Sequence, residues 1–267
     1  AQLAVWKERI GDLTLANVTP ALIAEHRDQL AREITVRGQQ RSPATVNRLM
    51  AALSHAFTIA VKEWGWLDDS PMRRVSKLKE PRGRVRFLSG DERTRLLHAC
   101  RESSNPYLYP AVVFSLSTGA RRMEIMSLRW ADIDVQRGMI VLHETKNDER
   151  RALPLQGHAL ALIKELGKVR RLDTDLLLPS QTNPNKPMEL RAPWEHALQK
   201  ADITDFRWHD LRHSAASYLA MNGATLAEIA EILGHKTLAM VKRYSHLSEQ
   251  HTSRVVAKMN ATIFGEM

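Results

Sequence analysis

Met139-Ile140-Val141-Leu142-His143 and Arg151-Ala152-Leu153-Pro154-Leu155 are two short runs whose pattern does not suit a helix. Both are rich in apolar residues, and the charged segment Lys146-Asn147-Asp148-Glu149 lies between them. Runs of that length, joined through a polar segment, predict an antiparallel hairpin or small sheet. The sequence on either side has mostly the helical period. The expected fold class is therefore mainly α with a small antiparallel β-sheet, of the α+β type.

Upstream, Thr19-Pro20 offers an N-cap and a proline at the first helical position, with Leu22, Ile23, Leu30 and Ile34 following at helical spacing. Ser42-Pro43 repeats the device, and Val46, Leu49, Met50, Leu53, Phe57, Ala60 and Val61 form one apolar stripe up to the helix stop at Gly65. After Pro71 the composition shifts, and Lys77, Lys79, Arg82, Arg84 and Arg86 crowd a stretch that also holds Pro81 and Gly83. Proline and glycine prevent a regular helix there, and like charges extend the chain. A solvated loop and a clamp along a DNA backbone account for this stretch equally well. The expected division is a helical domain over 1–76, a basic linker over 77–86 and a second domain over 87–267. That second domain opens on the capping box Ser89-Gly90-Asp91-Glu92, with helical patterns to about Ser117. Helices return from Gly157, interrupted at Leu176-Leu177-Leu178-Pro179.

The 267 residues carry 39 Lys and Arg against 30 Asp and Glu, a formal charge of +9. A chain this basic favours a polyanionic partner, most often nucleic acid. Cys100 is the single cysteine, which rules out an intrachain disulfide and a site built from several cysteines and fits a reducing compartment. No apolar run reaches the roughly 18 residues of a membrane span. The first ten residues lack both an initiator Met and the features of a signal peptide, as a piece of a longer protein would.

Four places carry candidate chemistry. In Thr118-Gly119-Ala120-Arg121-Arg122-Met123-Glu124, Gly119 suits a tight turn, Arg121 a helix N-terminus that attracts anions, and Glu124 lies where it can hold the guanidinium. Read alone, a surface ion pair explains that segment. In His209-Asp210-Leu211-Arg212-His213, one helical face can present His209 and Arg212, with Leu211, Ala215 and Leu219 on the buried opposite stripe. A zinc reading of the two histidines is weaker, because Asp210 is a methylene shorter than the usual general base and Arg212 brings positive charge beside the metal. Leu233-Gly234-His235 ends a helix opened by the capping box Thr225 to Glu228, leaving His235 free to face a cleft. Tyr244 follows nine residues later, flanked by Lys242, Arg243 and His246. Tyr107, Tyr109 and Tyr218 stand in more apolar surroundings and read as structural. Arginines, histidines, a lysine and a tyrosine, with no carboxylate pair, suit a phosphodiester as electrophile. The arginines would neutralise non-bridging oxygens and the tyrosine would attack.

The order T-G-x-R-x-x-E, a hairpin lysine, H-D-L-R-H, L-G-H and Y-S-H resembles the tyrosine recombinases, the phage integrase family. The resemblance covers nearly the whole chain. It implies a two-domain DNA clamp, with a core-binding domain that includes Ser42 to Arg48 and a catalytic domain from about Phe87. By position, Arg121 and Arg212 match the arginines that grip the scissile phosphate, and Glu124 the acidic residue that supports the first. Lys146 matches the general acid, His209 and His235 the phosphate-proximal histidines, and Tyr244 the nucleophile that forms a 3′-phosphotyrosyl link. One of the two histidines would help to deprotonate the tyrosine. Val241 stands where the family often has Thr, which reads as a packing position. The resemblance implies no metal and no nucleotide cofactor, because the covalent link conserves the bond energy. DNA contacts are expected from Arg48, Lys77, Lys79, Arg82, Arg84 and Arg86.

The resemblance implies site-specific strand cleavage and rejoining on duplex DNA by a homotetramer, as in a prophage or genomic-island integrase, with directionality or DNA-bending accessory proteins and a location in the bacterial cytoplasm, at the nucleoid. The family also includes chromosome-dimer and transposon recombinases. Many phage integrases carry a further amino-terminal arm-binding domain; none is visible in this sequence, and the expectation is that it was removed or that this member lacks it. A different class, a non-catalytic regulator, is suggested by Thr225 to Tyr244, which reads as helix, turn, helix.

Overall fold

The computed structural model describes residues 2–36, 38–81, 83–142 and 151–265. The chain forms two compact units, Ala1–Gly83 and Arg84–Met267. No helix among the described residues is long and apolar enough to cross a membrane.

The first unit packs α1 (Gln2–Ile10), α2 (Pro20–Arg32) and α3 (Pro43–Lys62). Each of the last two starts as its sequence predicts. Thr19 accepts from the Leu22 N–H and Ser42 from the Thr45 N–H, both at 3.3 Å, and a proline follows each cap. The α3 stripe buries Val46, Leu49, Met50, Leu53 and Phe57 against Trp6, Ile23 and Leu30. Each such side chain contributes about 1.5–3 kcal/mol of burial. Ile34 departs from the expected stripe. The helix ends at Arg32, Glu33 turns away under ion pairs from Arg9 and Arg41, and Ile34 is exposed.

The expected linker is corrected at its start. Asn47 is buried in α3 and brackets Leu78, donating to its carbonyl and accepting from its N–H, both at 2.9 Å. It also donates to Glu80 Oε1 at 2.7 Å. A buried amide with all these bonds satisfied fixes Leu78 to Glu80 on the first unit.

The second unit runs α4 (Gly90–Arg101), α5 (Leu108–Thr118), α6 (Arg122–Met126), β1 (Ile133–Asp134), β2 (Met139–Leu142), β3 (Arg151–Pro154), α7 (Gly157–Lys168), α8 (Arg191–Lys200), α9 (Trp208–Met221), α10 (Leu226–Leu233) and α11 (Glu249–Phe264). The sheet is antiparallel in the order β1-β2-β3. Ile140 pairs with Leu153, and both are fully buried. The edge strand β1 escapes a sequence reading because its two residues are too few to show a period. The apolar helix α5 sits in the core and packs on α9. The Ser89–Glu92 and Thr225–Glu228 capping boxes both form.

The helix-turn-helix reading of Thr225 to Tyr244 does not hold. After α10 the chain makes only 3₁₀ turns, Leu238–Met240 and Lys242–Ser248. Val241 and Tyr244, three positions apart, are both buried among Ala216, Ala220, Ile229 and Leu233. A three-residue repeat suits the 3₁₀ period and leaves no recognition helix to offer a groove.

Candidate active site

Gly119 closes α5 in the left-handed region at φ +62°, and Leu233 fills the place a Cβ would need. The turn delivers Arg121 to the start of α6. There the Arg121 N–H donates to Glu124 Oε2 at 2.8 Å and its guanidinium to Oε1 at 2.6 Å. Arg151 of β3 reaches the same carboxylate at 2.7 Å and also donates to the Leu233 carbonyl. Arg212 of α9 is 4% exposed and donates to the carbonyls of Gly119 at 2.7 Å and Leu233 at 2.5 Å. It also meets His235 Nε2 at 3.1 Å. Leu233 is the last residue of α10, and a helix C-terminus favours the two cations that converge on its carbonyl. Gly234 must be glycine on two counts: its φ is +63°, and the Arg151 guanidinium crosses where a Cβ would stand.

Three guanidinium groups thus surround one carboxylate among the described residues. Burial lowers the Arg212 pKa to about 10, helped by the charges of Arg121 and Arg151. Burial also lowers that of Arg151, against the pull of Glu124. Burial opposes ionisation of Glu124, but the N–H and guanidinium of Arg121 and the charge of Arg151 outweigh it and hold the carboxyl below its usual range. The surplus positive charge is suited to an anion.

The tyrosine lies within electrostatic reach of Arg212. Tyr244 is 2% exposed, and its hydroxyl is hydrogen-bonded to His213 Nδ1. Burial raises its pKa, with Arg243 and Arg212 pulling it back. His213 is pushed down to about 4 by burial and then by His209. His235 is also pushed down to about 4, by burial and then by Arg212 and Arg121. Burial and Arg212 lower His209 as well. The His213 and His235 imidazoles are therefore neutral at pH 7.

The structure brings Arg121, Glu124, Arg212 and His235 into one bonded network. His209 stands edge-on to His213, with ring centroids 5.1 Å apart. Arg212 is not on an open face, as the expected two-faced helix had it, because α9 is enclosed on most sides. Lys146 and Arg82 lie outside the described residues. Arg48, Lys77 and Lys79 are exposed on the first unit. The picture of Arg84 and Arg86 as extended, solvated cations needs correction: Arg84 is paired with Asp205 and Asp210, and Arg86 with Glu92. Asp210, placed by the zinc reading where a general base would be, accepts from Arg84 and from the Arg207 N–H.

Two site residues went unassigned by the sequence. Arg151 read only as a strand residue, and its one signal was a charge at the start of an otherwise apolar run. His213 stood inside the five-residue motif but was weighed only as a metal ligand.

Residues 86–251 match the phage integrase family, and the chain belongs to it. It is 34% identical over 250 residues to a shufflon-specific DNA recombinase of Escherichia coli, covering 91% of this chain and 61% of that protein. To the integrase of Salmonella phage P22 it is 33% identical over 218 residues, covering 77% of this chain and 54% of the relative. The chain thus spans little more than half the length of these relatives. Its fold is shared with the Tn1549 transposon integrase, solved with a circular intermediate DNA, at a TM-score of 0.77, with 17% identity, 97% of this chain and 91% of that one.

Proposed function

We propose that the protein is a site-specific tyrosine recombinase that cleaves and rejoins duplex DNA through a 3′-phosphotyrosyl link on Tyr244. The observation that carries this reading is the surplus positive charge among the described residues: Arg121, Arg151 and Arg212 around Glu124, with a buried tyrosine in electrostatic reach of Arg212. A phosphodiester keeps its negative charge throughout the reaction, so guanidinium groups fixed in advance stabilise the transition state without reorganising. Arg121 and Arg212 grip the non-bridging oxygens, and His235, bonded to Arg212, completes the grip with His209 beside it. Lys146 protonates the departing 5′-oxygen.

In this reading the first unit and the catalytic unit clamp the duplex. Arg48, Lys77, Lys79 and Arg82 follow its phosphates, and the pairings of Arg84 and Arg86 leave those two a smaller share. The active assembly is a homotetramer on DNA, aided by directionality or bending proteins, and its task is integration of a prophage or genomic island. The relative named as a shufflon-specific DNA recombinase supports a second task for the same chemistry, recombination specific to a shufflon.

The test uses a nicked suicide duplex built on the sequence that the full chain selects from a randomised DNA pool. Wild type becomes covalently attached, whereas Tyr244→Phe binds equally well and forms no adduct. An adduct on the Phe variant would place the nucleophile elsewhere.

A further inference from the structure

The Tyr244 hydroxyl has one hydrogen-bond partner among the described residues, and it is not a histidine that the sequence assigned. His235 is engaged elsewhere: its Nε2 takes Arg212, and its Nδ1 lies 3.4 Å from Met240 Sδ. His209 is exposed and touches the ring of His213 instead. His213 Nδ1 holds the hydroxyl. Resting on the recombinase reading above, we propose that His213 is the general base of the reaction, taking the Tyr244 proton in cleavage and returning it in rejoining.

A buried phenol needs an acceptor, and a backbone carbonyl would satisfy that need. A carbonyl cannot carry the proton away, whereas an imidazole nitrogen can. Helix α9 supplies that nitrogen from the position directly after Arg212. Consecutive helical residues diverge by about 100°, so one residue is aimed at the phosphate grip and the next at the nucleophile. Both are set by a single enclosed helix: Arg212 points to Gly119 and Leu233, His213 to Tyr244. The tyrosine is held from the other side, because Val241 and Tyr244 anchor the Lys242–Ser248 turn in the cluster formed by α9 and α10.

The electrostatics agree with a base at rest. The groups that act on His213 are His209, Asp210 and Arg212 from its own helix and Arg243 from the tyrosine segment. Its imidazole is neutral at pH 7 and offers a lone pair. Because burial raises Tyr244 while His213 lies near 4, the proton stays on oxygen until DNA arrives. As the Oη–phosphorus bond forms and the phosphorus–O5′ bond breaks, the phenolic proton passes to Nδ1 and O5′ takes a proton from Lys146. In rejoining, the 5′-hydroxyl attacks and gives its proton to Lys146. The Oη–phosphorus bond breaks, and the acidic imidazolium reprotonates Tyr244.

The test compares His213→Ala and His213→Gln of the full chain with wild type on the suicide duplex, in single turnover from pH 6 to 9. Binding and thermal unfolding are measured in parallel to establish that the variants fold. Wild type is expected to show a flat profile. Both variants should bind normally but form adduct at least about 100-fold more slowly at pH 7, the loss of a general base. Their rates should climb about tenfold per pH unit as spontaneous ionisation of Tyr244 replaces the missing base. A glutamine that restores the rate would reduce His213 to a hydrogen-bond acceptor and overturn the proposal. So would a deficit equal at every pH, or an alanine variant within about threefold of wild type. His209→Ala and His235→Ala should keep the flat profile at a lower rate, and a tenfold climb in either would move the base to that residue. Failure of wild type itself to form an adduct would refute the recombinase reading, a result separate from all of these.

Discussion

Glu124→Gln removes the negative charge at the centre of the arginine cluster. The carboxylate meets Arg121 at 2.6 Å and Arg151 at 2.7 Å, and the Glu124 and Arg151 side chains are 8% and 10% exposed. Solvent can replace little of what is lost. Removing one partner of a buried pair costs about 3–5 kcal/mol, because the other charge stays buried and uncompensated. A glutamine oxygen still accepts from the Arg121 N–H, so the expected cost is at the lower end, about 3 kcal/mol. For a unit the size of Arg84–Met267 this lowers the melting temperature by about 6–12 °C. Urea and thermal unfolding of the full chain, followed through the transition of the second unit, give the value. Adding Arg151→Met removes one of the surplus cations and should recover a good part of the loss. Phosphate should stabilise Glu124→Gln more than wild type, because the bare cluster binds an anion more tightly. A loss below about 1 kcal/mol, or a double variant no more stable than the single one, would refute the claim that Glu124 neutralises this cluster.

Acid should weaken the second unit through Glu92, whose pKa falls from 4.5 to about 2 through the hydrogen bond from Arg86. Its folded value is depressed, so its contribution is complete above pH 4.5 and is lost as the pH falls towards 2; at one-fifth exposure it amounts to about 2–3 kcal/mol. Unfolding titrations of Glu92→Gln should lack that portion of the pH dependence. Gly119→Ala forces a Cβ into the left-handed region and against Leu233, and should cost about 2–4 kcal/mol by denaturant unfolding. A cost under about 0.5 kcal/mol would show that the turn can relax. Lys146→Ala should cleave poorly, but should be largely rescued by sulfur in place of the bridging 5′-oxygen, a leaving group that needs no acid. Arg121→Ala and Arg212→Ala should not be rescued, and equal rescue of all three would reassign the acid.

The parts of this protein legible in its sequence are those whose partners lie within a few residues. Thr19, Ser42, Ser89 and Thr225 each cap a helix through a bond to a backbone N–H three positions on, so cap and target share one short window. The β2–β3 hairpin and the α3 stripe follow from local period for the same reason. Arg121, Glu124, Arg212, His235 and Tyr244 could be named from motif order, but motif order carries no distances. Tertiary structure alone decided what the long side chains touch. Arg212 bonds Gly119, 93 positions away, Arg151 bonds Leu233 across 82, and Arg84 pairs with Asp210 across 126. A guanidinium on a flexible stem can reach any segment that folding brings near, and no periodicity records which one that is. His213 is the sharpest case. Its neighbours Arg212 and Ser214 are buried, and nothing in His209-Asp210-Leu211-Arg212-His213 indicates which imidazole meets Tyr244. That was settled by Val241 and Tyr244 packing on α9 and α10, which turned an expected second helix into 3₁₀ turns and brought the phenol to His213.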